Sequence, residues 1–229
     1  MFWEEDEDKS LPYEVPDDVV DISFAIKSKK LPIDHAWALS QAIENALPWT
    51  KDEPKFRAHQ IHVAETGNGW LRPEDTENQW LWPSRRTRMY LRVPQHRAEA
   101  VKTLIGQTLD IDGCPVKLGT ERTRELSNAS VIFSRYVLSP EGEDENAFLA
   151  RMHKEIFDLT NIKMRKMICG ISHSIKTPEG DLPTRHLMIA DLESDPSIKI
   201  QQHGLGGGHL LGCGIFLPHK GIKSLNASE

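Results

Sequence analysis

The pattern that decides the fold lies in residues 19–47, VVDISFAIKSKKLPIDHAWALSQAIENAL. In residues 19–27 apolar and polar side chains alternate, which is typical of a strand with one buried face. Residues 34–47 place apolar side chains at helical spacing, with Asp34 as the expected N-cap and Pro48 just beyond the last turn. A half-buried strand followed by an amphipathic helix predicts the first half of a ferredoxin-like unit.

The same order of strands and helices occurs twice along the chain. The first pass completes β-α-β-β-α-β, the order of a ferredoxin-like unit, and the second repeats it with a shorter last helix. The first adds strands over 57–65, 86–93 and 108–118 and a helix over 95–105. The second has strands over 130–138, 164–175, 184–192 and 213–218 and helices over 144–159 and 195–202.

The sequence therefore predicts an α+β fold of two tandem ferredoxin-like (RRM-like) βαββαβ domains. We expect the N-terminal domain over residues 19–120 and the C-terminal domain over residues 128–223. An acidic, flexible segment over residues 1–18 precedes them, and a glycine-rich loop over residues 204–214, GLGGGHLLGCG, belongs to the second domain.

Several classes of protein are excluded by composition. No apolar run approaches the ~18 residues of a membrane span, and the acidic start is unlike a secretory signal, so we expect a cytoplasmic protein. The three cysteines form no CxxC motif, which argues against a disulfide framework or a zinc knuckle. We expect the cysteines to be reduced packing residues.

The third strand, residues 86–93, predicts a surface for nucleic acid. Its alternation separates a buried apolar set from an outward set of three arginines and one tyrosine. Guanidinium groups suit phosphates and the ring suits base stacking, so this face is a candidate RNA-binding surface; a solvated charged face is the alternative. The outward set is Arg86, Arg88, Tyr90 and Arg92.

The net charge of −6 is compatible with a local basic face because the acidic residues are concentrated in one part of the chain. Residues 1–18 contain eight acidic residues and one lysine, which leaves 27 basic and 26 acidic residues in the remainder. The acidic segment is either simply solvated or competes with RNA for the basic face.

The histidines are the candidates for proton transfer, since imidazole titrates near neutral pH. His35 lies at the start of the first predicted helix, where the helix dipole favours a neutral, proton-accepting ring. The alternative is a histidine that serves the helix start or packs beneath the sheet. His62 is the second catalytic candidate because it is expected on the open sheet face, whereas His59 is expected to be packed. Their HxxH spacing on a strand points the two rings to opposite faces, so no metal site is expected.

The glycine-rich loop is a candidate for close approach to a polyanion. It lacks both GxxxxGK[ST] and GxGxxG, so it is not a nucleotide-binding loop of either kind, and no cofactor is expected. The alternatives are RNA contact and a purely structural turn. The RNA-binding candidates here are Gly206, Gly207, Gly208, His209 and Lys220, with His219 as a further contact or a plain surface residue.

The C-terminal string GLGGGHLLGCGIFLPHKGI resembles the glycine-rich loop of the RAMP superfamily. Other stretches resemble the MYXAN subtype of the CRISPR repeat-RNA processing endoribonucleases within that superfamily. They are LPIDHAWALSQAIENALPW, TGNGWLRPE, SRRTRMYLRVP, RKMICG and RHLMIADL, in that order along the chain.

This resemblance implies two ferredoxin-like domains and metal-independent cleavage of CRISPR precursor RNA within the repeat, leaving 5′-hydroxyl and 2′,3′-cyclic phosphate ends. It implies a general base near the first helix, a placement that His35 matches. The implied partner is CRISPR repeat RNA in the form of a hairpin. Some relatives only bind RNA, so the alternative is a non-cleaving subunit of a CRISPR effector complex, with other subunits as partners.

Overall fold

The structure, a computed structural model, describes residues 13–63 and 79–219. The first unit contains β1 (Val19–Lys27), β2 (Leu31–Pro32), α1 (Ala36–Ala46), β3 (Arg57–Ala58), β4 (Trp80–Leu81), β5 (Arg88–Pro94), α2 (Ala98–Lys102), β6 (Thr108–Ile111) and β7 (Cys114–Glu125). The second contains β8 (Ile132–Leu138), α3 (Glu145–Thr160), β9 (Lys166–Thr177), β10 (Gly180–Ala190), α4 (Ser194–His203) and β11 (Leu217–Pro218).

The strand order confirms the predicted fold class. The first sheet has the order β3-β5-β1-β7-β6 and the second has β11-β8-β10-β9, with antiparallel neighbours throughout. If the hairpin strand β6 is set aside, each sheet places its fourth strand beside its first and its third beside its second. This is the arrangement of a ferredoxin-like unit, so the chain contains two of them in tandem.

Each unit has its own core beneath its helices. In the first, the inward residues of β1, with Phe24 wholly buried, pack against Leu39 and Ile43 of α1. In the second, Phe148 and Met152 of α3 lie against the inward residues of β8 and β10. These are the apolar faces that the alternation and the helical spacing predict. No helix within the described ranges is long and apolar enough to span a membrane.

Three local expectations differ from the structure. The N-cap of α1 is His35 rather than Asp34. Of the predicted strand over 57–65, the structure describes residues 57–63, and among these only β3 is a regular strand. The predicted strand over 108–118 is a hairpin that turns at Asp112 and Gly113, both of positive φ, and its second strand continues to Glu125. The connection between the sheets is correspondingly short.

Arg92 requires a correction, because it does not lie on an open sheet face. It shares a face with Tyr90 as predicted, yet its side chain is wholly buried. Nε and Nη2 donate to the two carboxylate oxygens of Asp21 at 2.8 and 3.0 Å. Nη1 donates to the carbonyls of Gln201 (2.8 Å) and Phe216 (3.0 Å) in the second unit. The guanidinium therefore joins the two units instead of facing solvent.

Neighbouring side chains reinforce this junction. Burial alone favours neutral Asp21, but the charge and hydrogen bonds of Arg92 outweigh it and hold the pKa of that carboxyl below its ordinary value. Arg57 of β3, which pairs with Arg92 across the sheet, donates to the carbonyl of His203 at the end of α4. Asp18 accepts a hydrogen bond from Gln202 at 2.6 Å. The last turn of α4 is thus fixed against the first sheet.

Removal of one partner of the buried ion pair should destabilise the protein. Arg92→Met leaves the Asp21 carboxylate buried without its cation, so we expect a loss of about 3–5 kcal/mol of unfolding free energy in urea. The double variant Asp21→Asn/Arg92→Met should recover part of this loss. Lys154→Met, which breaks an exposed pair with Asp158, should leave the unfolding midpoint nearly unchanged. An Arg92→Met protein as stable as the parent would contradict this assignment.

Candidate functional site

His35 lies beneath the surface with both ring nitrogens occupied. Nδ1 lies 2.9 Å from the carbonyl of Pro32 and 3.0 Å from that of Ile33, to which it donates its proton. Nε2 accepts the backbone N–H of Ile61 at 2.9 Å. Only 2% of the residue is exposed, and burial lowers the pKa of the ring. The neutral form expected from the sequence is therefore present, but this geometry favours the structural alternative over direct contact with a substrate.

His62 follows the segment that His35 holds. Ile61 is buried and its N–H is bonded to His35, whereas His62 is exposed to solvent. Gln60, which alternation along the predicted strand puts on the same side as His62, is buried and donates to the carbonyl of Leu211 in the glycine-rich loop at 3.0 Å. The segment is therefore fixed from both sides, by α1 and by the second unit, and it presents His62 between the two sheets.

The second sheet places an aromatic cluster opposite His62. The ring of Tyr136 on β8 stacks on that of His62, with 6.2 Å between centroids and 25° between planes. His173 on β9 meets Tyr136 edge-on at 6.2 Å, and His186 on β10 lies 5.1 Å from His173. Arg135 adds a positive charge near His62 and His186. We call Tyr136 and the three histidines the histidine cluster.

Two polar atoms of the histidine cluster are buried without a hydrogen-bond partner among the described residues. They are the hydroxyl of Tyr136 and Nε2 of His186. Because a buried polar atom left unpaired costs free energy, such atoms are candidates for contact with a ligand. Burial, followed by the charges of His173 and Arg135, lowers the pKa of His186 to about 4. Desolvation, followed by the charge of Arg135, also lowers the pKa of His62, although the residue keeps an exposed surface. Both rings are therefore neutral near pH 7.

The glycine-rich loop supports this cluster through its backbone. Gly214 N–H donates to the carbonyl of Tyr136 at 2.7 Å. A Cβ on Gly212 would lie 2.8 Å from the side chain of Gln60 and 3.0 Å from its backbone nitrogen, and the residue has a φ of +79°. A side chain there would separate the loop from the His62 segment. The loop therefore packs between the two units, which is the structural alternative left open by the sequence.

The three glycines predicted to contact RNA differ in their surroundings. A Cβ on Gly206 would meet Val137 at 2.7 Å, and its N–H already donates to Glu155 at 2.8 Å. A Cβ on Gly208 would meet Leu138 at 2.9 Å. Gly207 alone of the three is exposed, with nothing within 4 Å of its Cβ position. Of these glycines, it is the one that leaves room for a bound strand.

The histidines and the lysine of the C-terminal region also differ in their surroundings. His209 faces the first unit, where burial and then the charge of Arg57 lower its pKa. Its Nε2 is buried without a partner among the described residues. His219 is exposed and its ring lies 5.7 Å from that of Phe133. Lys220 lies outside the described residues, as does the whole of the quoted stretch TGNGWLRPE.

The open part of the first sheet presents part of the set of side chains that was expected to face outward. Arg86 and Tyr90 are exposed, the latter by 40%. Arg88 is half-buried, because its guanidinium donates to the hydroxyl and carbonyl of Ser23 (3.0 and 2.6 Å) and to the carbonyl of Thr120 (3.0 Å). Arg88 thus braces β5 against β1 and β7.

Two further arginines on this surface were missed from the sequence. Arg122 and Arg124 are exposed, and the register of β7 sets them opposite Ser23 and Asp21, on the same face as Tyr90. The signal is the alternation in TERTRE, residues 120–125, most of which lies between the two predicted domains. We call Arg86, Arg88, Tyr90, Arg122 and Arg124 the basic face.

In the part of the chain that the structure describes, no three His, Cys, Asp or Glu side chains converge as a metal site requires. His59 and His62, the HxxH pair, diverge: His59 lies 4.0 Å from Asp21, and His62 lies against Tyr136.

Comparison with known proteins relates this architecture to one family. The family model described as Cas6 Crispr matches residues 20–221. A relative from Myxococcus xanthus (strain DK1622), CRISPR-associated endonuclease Cas6, is 26% identical over 199 residues, which cover 87% of this chain and 81% of the relative.

Solved structures agree at the level of the fold. The structure described as CRISPR associated protein Cas6 has a TM-score of 0.61 at 11% identity and covers 88% of this chain and 100% of that chain. A Cas6-related protein from Pyrococcus furiosus has a TM-score of 0.60 at 12% identity and covers 90% and 99%. Because the family model spans most of the chain, this protein belongs to the Cas6 family of CRISPR proteins.

Proposed function

We propose that this protein is an endoribonuclease that cleaves CRISPR precursor RNA within the repeat without a metal ion. The observation that carries the proposal is the position of His62: in a chain of the Cas6 family, it is exposed between the two units and stacked on Tyr136. The endonuclease name of the Myxococcus xanthus relative supports the same activity. The histidine cluster supplies the side chains for the chemistry, and the basic face supplies the contact with RNA.

The proposed reaction is an attack by the RNA's own 2′-hydroxyl. His62, which is neutral, accepts the proton of that hydroxyl while the 2′-oxygen forms a bond to the adjacent phosphorus. The bond from phosphorus to the 5′-oxygen breaks, and that leaving oxygen takes a proton from water, while the proton on His62 returns to the solvent. The products are a 2′,3′-cyclic phosphate and a 5′-hydroxyl. In this scheme Arg135, whose charge acts on His62, donates to the phosphate as its charge develops, and the hydroxyl of Tyr136, which has no partner among the described residues, is a further candidate donor.

His35 acts in this scheme as a positioning residue. Its Nε2 holds the N–H of Ile61, one residue before His62. His35 therefore sets where the His62 ring lies without meeting RNA itself. This assigns the two catalytic candidates of the sequence to different tasks at one site.

Cleavage should proceed in EDTA. An RNA that carries one CRISPR repeat between two spacers should be cut within the repeat, because the proposed proton transfers use a side chain and water alone. The upstream fragment should resist 3′-end ligation until its cyclic phosphate is removed. Tight binding of RNA that stays intact in EDTA would sink the nuclease proposal and favour a protein that only binds RNA.

Substitution of the two histidines should separate chemistry from folding. His62→Ala should lower the single-turnover cleavage rate by about 10²-fold or more with RNA affinity and the unfolding midpoint nearly unchanged. His35→Ala should lower the free energy of unfolding by about 1–3 kcal/mol, because the N–H of Ile61 and two carbonyls lose their partner. Full cleavage by His62→Ala would overturn the assignment of the base.

The pH dependence follows from the lowered pKa of His62. A ring with this shift stays neutral at pH 6, so the proton-accepting form is not lost as the pH falls from about 8 to about 6. We expect the single-turnover rate at saturating RNA to change little over that range. An unshifted histidine, with a pKa of about 6.5, would lose about three quarters of its neutral form by pH 6. A rate that declines in that proportion would contradict the lowered pKa.

A further inference from the structure

Two short stretches of the first unit bring basic and aromatic side chains to one edge. Residues 27–30, KSKK, and residues 80–88, WLWPSRRTR, together contain three lysines and three arginines and no acidic residue. The strands β2 and β4 join them, with Leu31 opposite Leu81 and Pro32 opposite Trp80. This edge is separate from the histidine cluster.

The two tryptophans of β4 and its extension face outward. Leu81 between them is buried, with 2% of its surface exposed, whereas Trp80 and Trp82 are exposed by 36% and 65%. The ammonium of Lys30 lies 3.3 Å from the centroid of the Trp80 ring and covers it through a cation–π contact. Trp82 keeps the most exposed surface among the large apolar side chains in the described ranges. The edge therefore combines an open indole ring with a surrounding positive charge.

We propose that Trp82 stacks on an unpaired base of the bound RNA while Lys30, Arg85 and Arg86 contact its phosphates. This inference rests on the proposed function, since it takes RNA as the ligand. An exposed ring on two stretches that together hold six cations and no acidic residue matches a polyanion that carries flat bases. A protein partner would cover the ring with apolar atoms and leave these charges to be desolvated, so the charge favours RNA.

The position of this edge also fits a path for RNA. Arg85 and Arg86 immediately precede β5, whose first residue, Arg88, belongs to the basic face. Arg88 pairs with Ala25 near the end of β1, from which the chain continues through Lys27 into the lysine-rich turn. A strand of RNA that leaves the basic face at this end of the sheet therefore passes over the Trp82 edge.

The test uses an unstructured, fluorescently labelled oligoadenylate of about ten nucleotides and the full chain. Trp82→Ala should weaken its binding at least about fivefold, because stacking of one base contributes about 1 kcal/mol or more. Trp82→Phe, which retains a ring, should restore most of the affinity. Phe157→Ala, at an aromatic side chain of α3 that is 37% exposed, is the matched surface control and should bind like the parent. Lys30→Gln should lower the slope of log affinity against log salt by about one.

Cleavage of repeat RNA by the parent protein separates this inference from the proposed function. If the parent cleaves and Trp82→Ala binds oligoadenylate as tightly as the parent, the stacking site is wrong and the nuclease stands. If the parent does not cleave but Trp82→Ala loses oligoadenylate, the stacking site stands and the nuclease fails. Equal losses in Trp82→Phe and Trp82→Ala would overturn stacking as the cause.

Discussion

The relative position of the two units depends on one buried guanidinium. A charge that is wholly withdrawn from water is costly unless its donors are matched, and Nε, Nη1 and Nη2 of Arg92 all have partners. The partners are a carboxylate on β1 and two carbonyls of the second unit, 109 and 124 residues away. Since a shift of the second unit would leave Nη1 of Arg92 buried without its two carbonyl partners, this interaction selects one arrangement of the sheets.

The glycine-rich loop can act only within that arrangement. Once α4 is fixed against the first sheet, the loop that follows it passes between the units, and its backbone contacts both of them. Gly212 allows contact with Gln60, and Gly214 bonds the carbonyl of Tyr136. The same short segment therefore determines how far His62 lies from Tyr136, and so whether the histidine cluster forms. The glycines are required by packing at the junction, whatever their contact with RNA.

The sequence predicts features that depend on neighbouring residues, and it misses those that depend on contacts between distant parts of the chain. Alternation along one strand is local, and it correctly places Tyr90 and Arg92 on one face of the sheet. It cannot tell that Tyr90 is exposed and Arg92 buried, because the atoms that cover Arg92 come from the second unit. The same holds for His35. The sequence predicts its position at the helix start, but its hydrogen bond to the N–H of Ile61 forms only in the folded unit. Tyr136 and His173 carry no local motif, and only the packing of the two sheets brings them to His62.

The division of the arginines into buried and exposed residues limits the path that the proposed RNA can take across the first sheet. The helix α4 covers Arg57, Arg92 and Asp21 in one row, whose far end, Arg124, stays exposed. The rows that contain Tyr90, Arg122 and Arg88 are open. A polyanion on this face is therefore excluded from the α4 end both by the backbone that covers it and by the carboxylate beneath. The remaining direction is toward the start of β5, where the positive charge continues without a carboxylate. Burial of Arg92 therefore closes one end of this basic strand and leaves the other end accessible.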